Sequence, residues 1–500
     1  MTHPAPLTPV LRVPEVRAVE AAALAGSPQP SLMERAGDAA ARCALDMLGS
    51  AQRVLVLAGP GNNGGDALVA ARRLREAWLH VTVVLLGDAA RLPADAAAAL
   101  AAWCAAGGVV TNALPAAGLA PDLVVDGLLG IGAARPLAGP LALAVDWINQ
   151  AGCPVLSLDV PSGLDADSGA VHGAAVRATR TLTFIALKPG LLTQEGPDQA
   201  GVVEVADLGL GDAVAAAAHG GLISEHVLRA VLPRRQRSSH KGSHGSVGIL
   251  GGAPGMAGAL LLAARAALLA GSGRVHAGFV DGAAPSLDPL QPELMLCSAA
   301  QVLSMKGRLD VLVCGPGLGG GEAARACVRG ALAFPCPLLL DADALNLVAA
   351  EPALGAAVAQ RGAPTWVTPH PGEAARLLDT TTAAIAGDRV GAALAIAARL
   401  RATTLLKGAG SIVAEPGGRW LVNASGNPGL ASAGTGDVLC GLAAALAAQG
   451  ADPALVLPAA AHLHGRAADL LLEAHGGPVG MTAGEVALAA RRVLNAALYG

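Results

Sequence analysis

Charge is sparse in this 500-residue chain: only 14% of residues are Asp, Glu, Lys or Arg, and the formal net charge is -4. No basic patch or arginine-rich tail stands out, so a polyanion-binding role has no footing and no nucleic-acid partner is expected. Cysteine is scarce and scattered (43, 104, 153, 297, 314, 327, 336, 440), without a CxxC pair. Reduced, buried small hydrophobes are the simplest reading, ahead of disulfides or a metal site. The twelve histidines show neither HExxH nor clustered zinc spacing. Long apolar runs are also missing. The mean hydropathy of +0.51 comes mainly from alanine, and the longest uncharged stretch, residues 96–121, is broken by "AAGG", "TN" and prolines. No aliphatic run approaches the ~20 residues of a bilayer span. The N-terminal "MTHPAPLTPVLRVPEV" has prolines where a signal peptide needs an apolar core. A cytoplasmic protein with no membrane partner is expected.

What is present is an alternating α/β rhythm. "RVLVLAG" (53–59), "VTVVLLG" (81–87), "DLVVDGLLG" (122–130), "PVLSLDV" (154–160) and "TLTFIAL" (181–187) read as strands buried on both faces. Amphipathic stretches such as "DALVAARRLREAW" (66–78) lie between them, which predicts βαβ units around a parallel sheet. The rhythm lapses between about 211 and 240, at "GDAVAAAAHGG" and "LPRRQRSSHKGSHG". A chain of this length exceeds one core, so two domains are expected, residues 1–212 and 222–500. The second series is "SVGILGGA", "RVHAGFV", "VLVCGPG", "PLLLDADAL", "PTWVTPH" and "TTLLKGAG", with "SIVAEPGGRWLVN" (411–423) as a hairpin at the sheet edge. No short-period repeat is visible.

Ligands in such folds bind at the carboxyl ends of strands, and the unusual residues fall there. In the second half, "GGAPGMAGA" (251–259), "GPGLGGG" (315–321) and "ASAGTGD" (431–437) supply backbone donors suited to anions. Asp437 follows the last of these directly. It suits a base that takes a hydroxyl proton beneath a nucleotide, and the plainer reading is a carboxylate at a helix N-terminus. Lys407 ends "TTLLK", and His370 is fixed between two prolines in "TPHPGE". Asp343 or Asn346 of "DADALNL" could reach the same mouth, or could line a solvated turn.

The stretches "HKGSHGSVGILGGAPGMAGA", "GPGLG", "DADALN", "TPHPGE", "LLKGAG" and "GNPGLASAGTGD" together resemble the ADP-dependent NAD(P)H-hydrate dehydratases, over almost all of 235–500. The resemblance implies a ribokinase-like α/β domain. It implies nucleotide (ADP/AMP) contacts at Lys407, Gly408, Ala409, Gly410, Ser411 and Gly436, and contacts to the hydrate at Ala259, Gly319, His370 and Asp437. Asp437 would be catalytic, with Gly434 and Gly436 holding phosphate oxygens. ADP is then the co-substrate and Mg2+ the expected metal.

In the first half, "GPGNNGGDALVAARRL" (59–74) opens a helix after a strand and is not GxGxxG. Asp126 ends "DLVVD", and Asp159, Pro161 and Ser162 end "PVLSLDVPS". With "LMERAG" (32–37) and "ALKPGL" (186–191), these stretches resemble the NAD(P)H-hydrate epimerases, over most of 1–210. That implies a Rossmann-like three-layer domain with a potassium ion among Asn63, Asp126 and Ser162, an all-oxygen set suited to a hard cation. Hydrate contacts are implied at Asn62, Asn63, Gly64, Gly65 and Asp66, at Asp159, and along Gly130, Ile131, Gly132, Ala133, Ala134, Arg135 and Pro136. Asp159 is the candidate for acid–base work. The family pattern has glycine where Ala67 stands, which is tolerable if that position is helical.

The two resemblances name one ligand. They imply a bifunctional metabolite-repair enzyme, an isomerase fused to a lyase. It would epimerise the R and S forms of NADHX and NADPHX and dehydrate the S form with ADP, giving AMP and phosphate. A homo-oligomer is expected. The competing readings are a ribokinase-like kinase with a regulatory N-terminal domain and a nucleotide sensor with decayed sites.

Overall fold

The computed structural model describes residues 8–115, 121–132, 136–280 and 284–500. The chain divides into two compact units, residues 8–220 and 221–500.

The N-terminal unit is built on strands β1 (Arg53–Ala58), β2 (His80–Leu85), β3 (Val110–Thr111), β4 (Leu123–Gly127), β5 (Val155–Leu158), β6 (Arg180–Phe184) and β7 (Val202–Ala206). All pair in parallel, in the order β3-β2-β1-β4-β5-β6-β7. The order reverses between β1 and β4, a doubly wound Rossmann-like sheet whose switch point opens a crevice at the carboxyl ends. The five central runs are strands as expected. The sequence reading lacks β3 and β7, because edge strands need not be apolar on both faces: Val202 and Val205 are exposed. The helix after β1 starts at Asn62, not at Asp66, so Asn62, Asn63, Gly64 and Gly65 form its first turn. Ala67 is helical and fully buried, so its methyl is accommodated.

The C-terminal unit holds β8 (Ser246–Gly251), β9 (Arg274–Phe279), β10 (Met295–Ser298), β11 (Val311–Cys314), β12 (Leu338–Leu340), β13 (Thr365–Val367), β14 (Thr403–Leu406), β15 (Ser411–Ala414) and β16 (Trp420–Asn423). Their order is β16-β15-β14-β13-β12-β11-β8-β9-β10. Strands β8 to β14 are parallel, and β15 and β16 form the expected antiparallel hairpin, the ribokinase-like arrangement. The hairpin is not the outermost element: Ile223 N–H donates to Val422 O at 2.9 Å, and the short strand Gly220–Leu222 flanks it.

Alanine sets how closely the helices approach. The helices Ala257–Leu269 and Thr435–Ala448 pack almost backbone to backbone, and a Cβ on Gly441 would lie 2.1 Å from the Ala263 carbonyl oxygen. This packing fixes the helix that carries Asp437 at its N-terminus. Alanine is the better helix former by about 1 kcal/mol, whereas overpacking costs about 1–3 kcal/mol, so the clash decides the sign. Gly441→Ala is expected to lower the urea midpoint, and a raised midpoint would show that the helices separate freely.

All eight cysteines are free thiols; Cys43, Cys314, Cys327 and Cys440 are buried, but Cys104 is exposed, contrary to a uniformly buried set. Among the described residues no single helix is long and apolar enough to cross a membrane.

Candidate active sites of the two units

In the N-terminal unit three neighbouring strand ends converge. Asp126, near the end of β4, is fully buried and saturated with donors. Its Oδ1 accepts from Ser162 Oγ at 2.6 Å and Leu128 N–H at 3.2 Å, and its Oδ2 from Ser157 Oγ at 2.8 Å and Ser162 N–H at 3.0 Å. Burial raises its pKa against the pull of these bonds. Leu129 N–H donates to Ser162 Oγ at 2.9 Å, which ties the covering loop to the same cluster. Asn63 Nδ2 donates to Leu158 O at 3.2 Å, while its buried Oδ1 has no hydrogen-bond partner among the described residues.

That orphaned oxygen tests the expected cation. A buried amide oxygen left unpaired is costly, and Asn63 Oδ1 is such an oxygen; an amide, a carboxylate and a hydroxyl offer the oxygen-only chemistry that suits potassium and not zinc. Among the described residues no cluster of three His, Cys, Asp or Glu side chains offers a transition-metal site.

Asp159, just past β5, has φ +67°, a left-handed conformation that aspartate tolerates. Ile185 past β6 has φ +70°, unusual for a β-branched residue, and both line a cavity of about 490 Å³ with Asn62, Asn63, Asp66 and Glu20. Asp159 is not a free acid–base group. Its Oδ1 meets Lys188 Nζ at 2.5 Å, and its Oδ2 accepts from Ile131 N–H at 3.1 Å. Lys188 is wholly buried, and its other two ammonium protons go to Thr183 Oγ1 at 2.8 Å and Phe184 O at 2.6 Å. The sequence reading quotes Lys188 within "ALKPGL" without giving it a role. The signal was available, since a lysine closing the largely apolar run "TLTFIALK" has to be paired once buried.

Half-buried Asp66 faces the same cavity. Burial, reinforced by the carboxylates of Asp159, Glu20 and Asp95, pushes its pKa well above the carboxylate range. Gly130 and Ile131 pass directly over Asp159: a Cβ on Gly130 would lie 2.9 Å from its Oδ2. Gly132 is exposed in the same turn, and Pro136 follows beyond it. Ala133, Ala134 and Arg135 lie outside the described residues. Gly64 and Gly65 serve packing, not turn formation: a Cβ on Gly64 would come within 2.1 Å of Gly59 O, and one on Gly65 within 2.5 Å of Met33 Cε.

In the C-terminal unit five strand ends meet. The loops after β8 and β11 are locked together by Gly252 N–H to Pro316 O at 3.1 Å and Ala253 N–H to Gly317 O at 2.8 Å. Ala259 sits in the first turn of the following helix, and a Cβ on Gly317 would lie 3.2 Å from its methyl. Gly319, φ +77°, donates its N–H to Asp343 Oδ2 at 2.9 Å. Asp343 therefore reaches the mouth. Asn346 Oδ1 accepts from Arg376 Nη1 at 2.9 Å.

The centre of this site is Asp341, directly after β12. Its Oδ1 accepts from Lys407 Nζ at 2.7 Å and Thr368 Oγ1 at 2.8 Å, and its Oδ2 from Cys440 Sγ at 2.9 Å. Burial opposes ionisation of both partners, but their attraction outweighs it: Asp341 lies below and Lys407 above the ordinary value. Lys407 Nζ also stands 3.5 Å from where a Cβ on Gly436 would be. Asp437, one residue on, is half-buried at the open N-terminus of the helix Thr435–Ala448. Burial first, then the Asp341 carboxylate, lifts its pKa to about 6 against the pull of Lys407. Gly434, φ +87°, is the N-cap, leaving the first N–H groups of the helix unpaired in the helical ladder.

His370 caps the helix Pro371–Leu378. Its Nδ1 accepts from Gly372 N–H at 2.9 Å, and its Nε2 lies 3.2 Å from Glu373 Oε1. Burial lowers the His370 pKa and raises that of Glu373 to about 7. The run Lys407–Ser411 bends sharply through Gly408 and Gly410, with Ala409 exposed at its tip and Ser411 Oγ donating to Gly408 O at 3.1 Å. Asp341, Glu373 and Lys188 are the functional candidates that the sequence reading leaves without a role.

Comparison with known proteins places both halves. Residues 29–190 match the family described as YjeF-related protein N-terminus, and residues 247–491 match NAD(P)H-hydrate dehydratase. The bifunctional NAD(P)H-hydrate repair enzyme Nnr of Moorella thermoacetica is 38% identical over 442 residues, 84% of this chain and 83% of its own. The enzyme of that name from Escherichia coli is 38% identical over 484 residues, 95% of this chain and 92% of its own. A solved structure, the ADP/ATP-dependent NAD(P)H-hydrate dehydratase of Bacillus subtilis co-crystallised with ATP/Mg2+, is 30% identical, spans 55% of this chain and 98% of its own, with a TM-score of 0.49. The chain belongs to the family of bifunctional NAD(P)H-hydrate repair enzymes.

Proposed function

We propose that the chain restores nicotinamide dinucleotides that have added water across the ring. Residues around Asn63 and Asp159 interconvert the R and S hydrates, and residues around Asp437 dehydrate the S form at the expense of ADP. The observation that carries this reading is Asp437, a carboxyl of pKa about 6 at an open helix N-terminus beside Lys407. A general base works best with a pKa near the working pH, and helix N–H donors favour phosphate.

In dehydration, Asp437 takes the proton of the C6 hydroxyl as that oxygen attacks the β-phosphoryl group of ADP and AMP leaves. The C6–O bond then breaks, pushed by the ring nitrogen. Phosphate departs, and loss of a proton from C5 restores the dihydropyridine. Backbone N–H groups at Gly434 and Gly436 hold phosphate oxygens, and Lys407 stands where charge accumulates. Asp341 keeps Lys407 placed and has both oxygens committed. Magnesium would enter on the nucleotide phosphates, whose charge it neutralises.

In epimerisation, hydroxyl or proton movement at C6 is served by the Asp159–Lys188 pair together with Asp66, whose raised pKa lets it donate a proton. Potassium would be held by Asn63, Asp126 and Ser162, and it supplies fixed positive charge beside the hydrate. Replacing KCl by LiCl or choline chloride is expected to slow epimerisation. Ser162→Ala is expected to raise the potassium needed for half-activation by roughly 10- to 100-fold. Equal epimerisation rates in all three salts would remove the ion from this reading.

Incubation of both hydrate epimers with ADP and magnesium, followed by dihydronicotinamide absorbance, tests the whole. Complete recovery is expected. A plateau with only the R form left would remove the epimerase, and a stable phosphorylated product would favour the kinase reading.

A further inference from the structure

We propose that Arg389 is a positioning residue for nucleotide binding, which it shapes by holding the carbonyls of the 406–410 backbone from behind. It rests on the reading that Lys407 to Ser411 contact the adenine nucleotide. Arg389 opens the helix Arg389–Leu400 and is only 5% exposed. Its Nη2 donates to Leu406 O at 3.5 Å, Lys407 O at 3.3 Å and Gly410 O at 3.2 Å. Among the described residues no carboxylate pairs with it.

Burying a guanidinium without a counter-ion is expensive, so its retention has to be matched by something it does. The loop supplies the reason. Gly408 has φ +142° and lies just beyond the last ladder pair of β14, Leu406 with Ile412, so Arg389 meets carbonyls where the chain leaves the sheet. A Cβ at Gly408 would lie 2.8 Å from Arg389 Nη1, so glycine there is what admits the arginine. One nitrogen, Nη2, thus meets carbonyls at both ends of the turn, while the buried Nε has no partner among the described residues. Nη2 ties the backbone of Lys407 to that of Gly410, while the Lys407 side chain is held by Asp341. A lysine in place of Arg389 carries its charge on a flexible stem and lacks the planar group that packs against Gly408.

The test is steady-state kinetics of the full chain with the S hydrate. Arg389→Met is expected to raise KM for ADP by roughly 10- to 100-fold, as loss of bonds from a charged donor implies. The kcat at saturating ADP and the KM for the hydrate should stay within about threefold and twofold, on the same scale of net hydrogen-bond energies. Arg389→Lys should fall between Arg389→Met and the native chain. Unchanged KM for ADP in Arg389→Met, or parallel loss in KM for ADP, KM for hydrate and kcat, overturns the proposal. Should Arg389→Met fail to fold, Arg389→Lys decides by the same criterion. Lys407→Met and Ser411→Ala separate this from the underlying reading. If they leave ADP affinity by calorimetry untouched, the nucleotide does not sit on this loop. If they weaken it and Arg389→Met does not, only the role of Arg389 falls.

Discussion

Asp437→Asn is expected to reduce ADP-dependent recovery of the dihydronicotinamide by about 10²–10⁴-fold, the usual worth of a positioned general base, with the fold retained. Asparagine keeps the size and the helix-terminal position but cannot take a proton. The wild-type pH profile should carry the same signature. The Asp437 pKa lies near 6, raised by burial and by Asp341, so kcat/KM should fall about tenfold per unit as pH drops below ~6. Stability moves in the opposite sense. A carboxyl whose folded pKa exceeds its unfolded value binds its proton more tightly in the native state. Its stabilising contribution is complete below pH ~4 and is lost as pH rises toward ~6. At pH 8 the native protein holds a half-buried carboxylate near Asp341, so Asp437→Asn should melt at a higher temperature there and show little difference at pH 4. An active variant that also melts like wild type at pH 8 would assign Asp437 to helix capping alone.

Lys188→Met is expected to be the most destabilising single change in the N-terminal unit. Methionine matches the stem, but it removes the partner of Asp159 and the donor to Thr183 Oγ1 and Phe184 O. Breaking a buried pair from one side costs about 3–5 kcal/mol, or roughly 10 °C in the melting of a unit of this size. Epimerisation should be lost with it, because Asp159, the neighbour of Ile131 in the covering loop, would be left charged and uncompensated. Dehydration of purified S hydrate by the same sample serves as the control. A double replacement, Lys188→Met with Asp159→Leu, should recover much of the melting temperature and none of the epimerisation. Calorimetry with a stopped assay on the R hydrate decides this, and unchanged melting in Lys188→Met would mean that water replaces the ammonium.

Much of the molecule was legible in the chain. Strands buried on both faces are continuous apolar runs, and β1, β4, β5 and β6 fall within three residues of "RVLVLAG", "DLVVDGLLG", "PVLSLDV" and "TLTFIAL" at either end. The Gly-Gly turn announced the β15–β16 hairpin for the same local reason. Edge strands β3, β7 and β10 were not legible, since one solvated face removes the pattern. The helical stretch named in the sequence begins at Asp66, and Asn62 to Gly65 stand before it as amide and backbone donors. In the fold they are helical, and the missing Cβ atoms are explained by Gly59 and Met33.

By itself the sequence determined which residue types stand at strand ends: the glycine-rich loops, Asp437 beside the last of them, and the oxygen-bearing side chains of Asn63, Asp126 and Ser162. Each depends on neighbours close along the chain. The tertiary structure alone decided the charge partners. Lys188 meets Asp159 across 29 positions, Lys407 meets Asp341 across 66, and Cys440 meets Asp341 across 99. Coulombic and desolvation effects depend on distance through space and on burial. The identities of the carboxyls were therefore written in the chain, and their pKa values only in its packing.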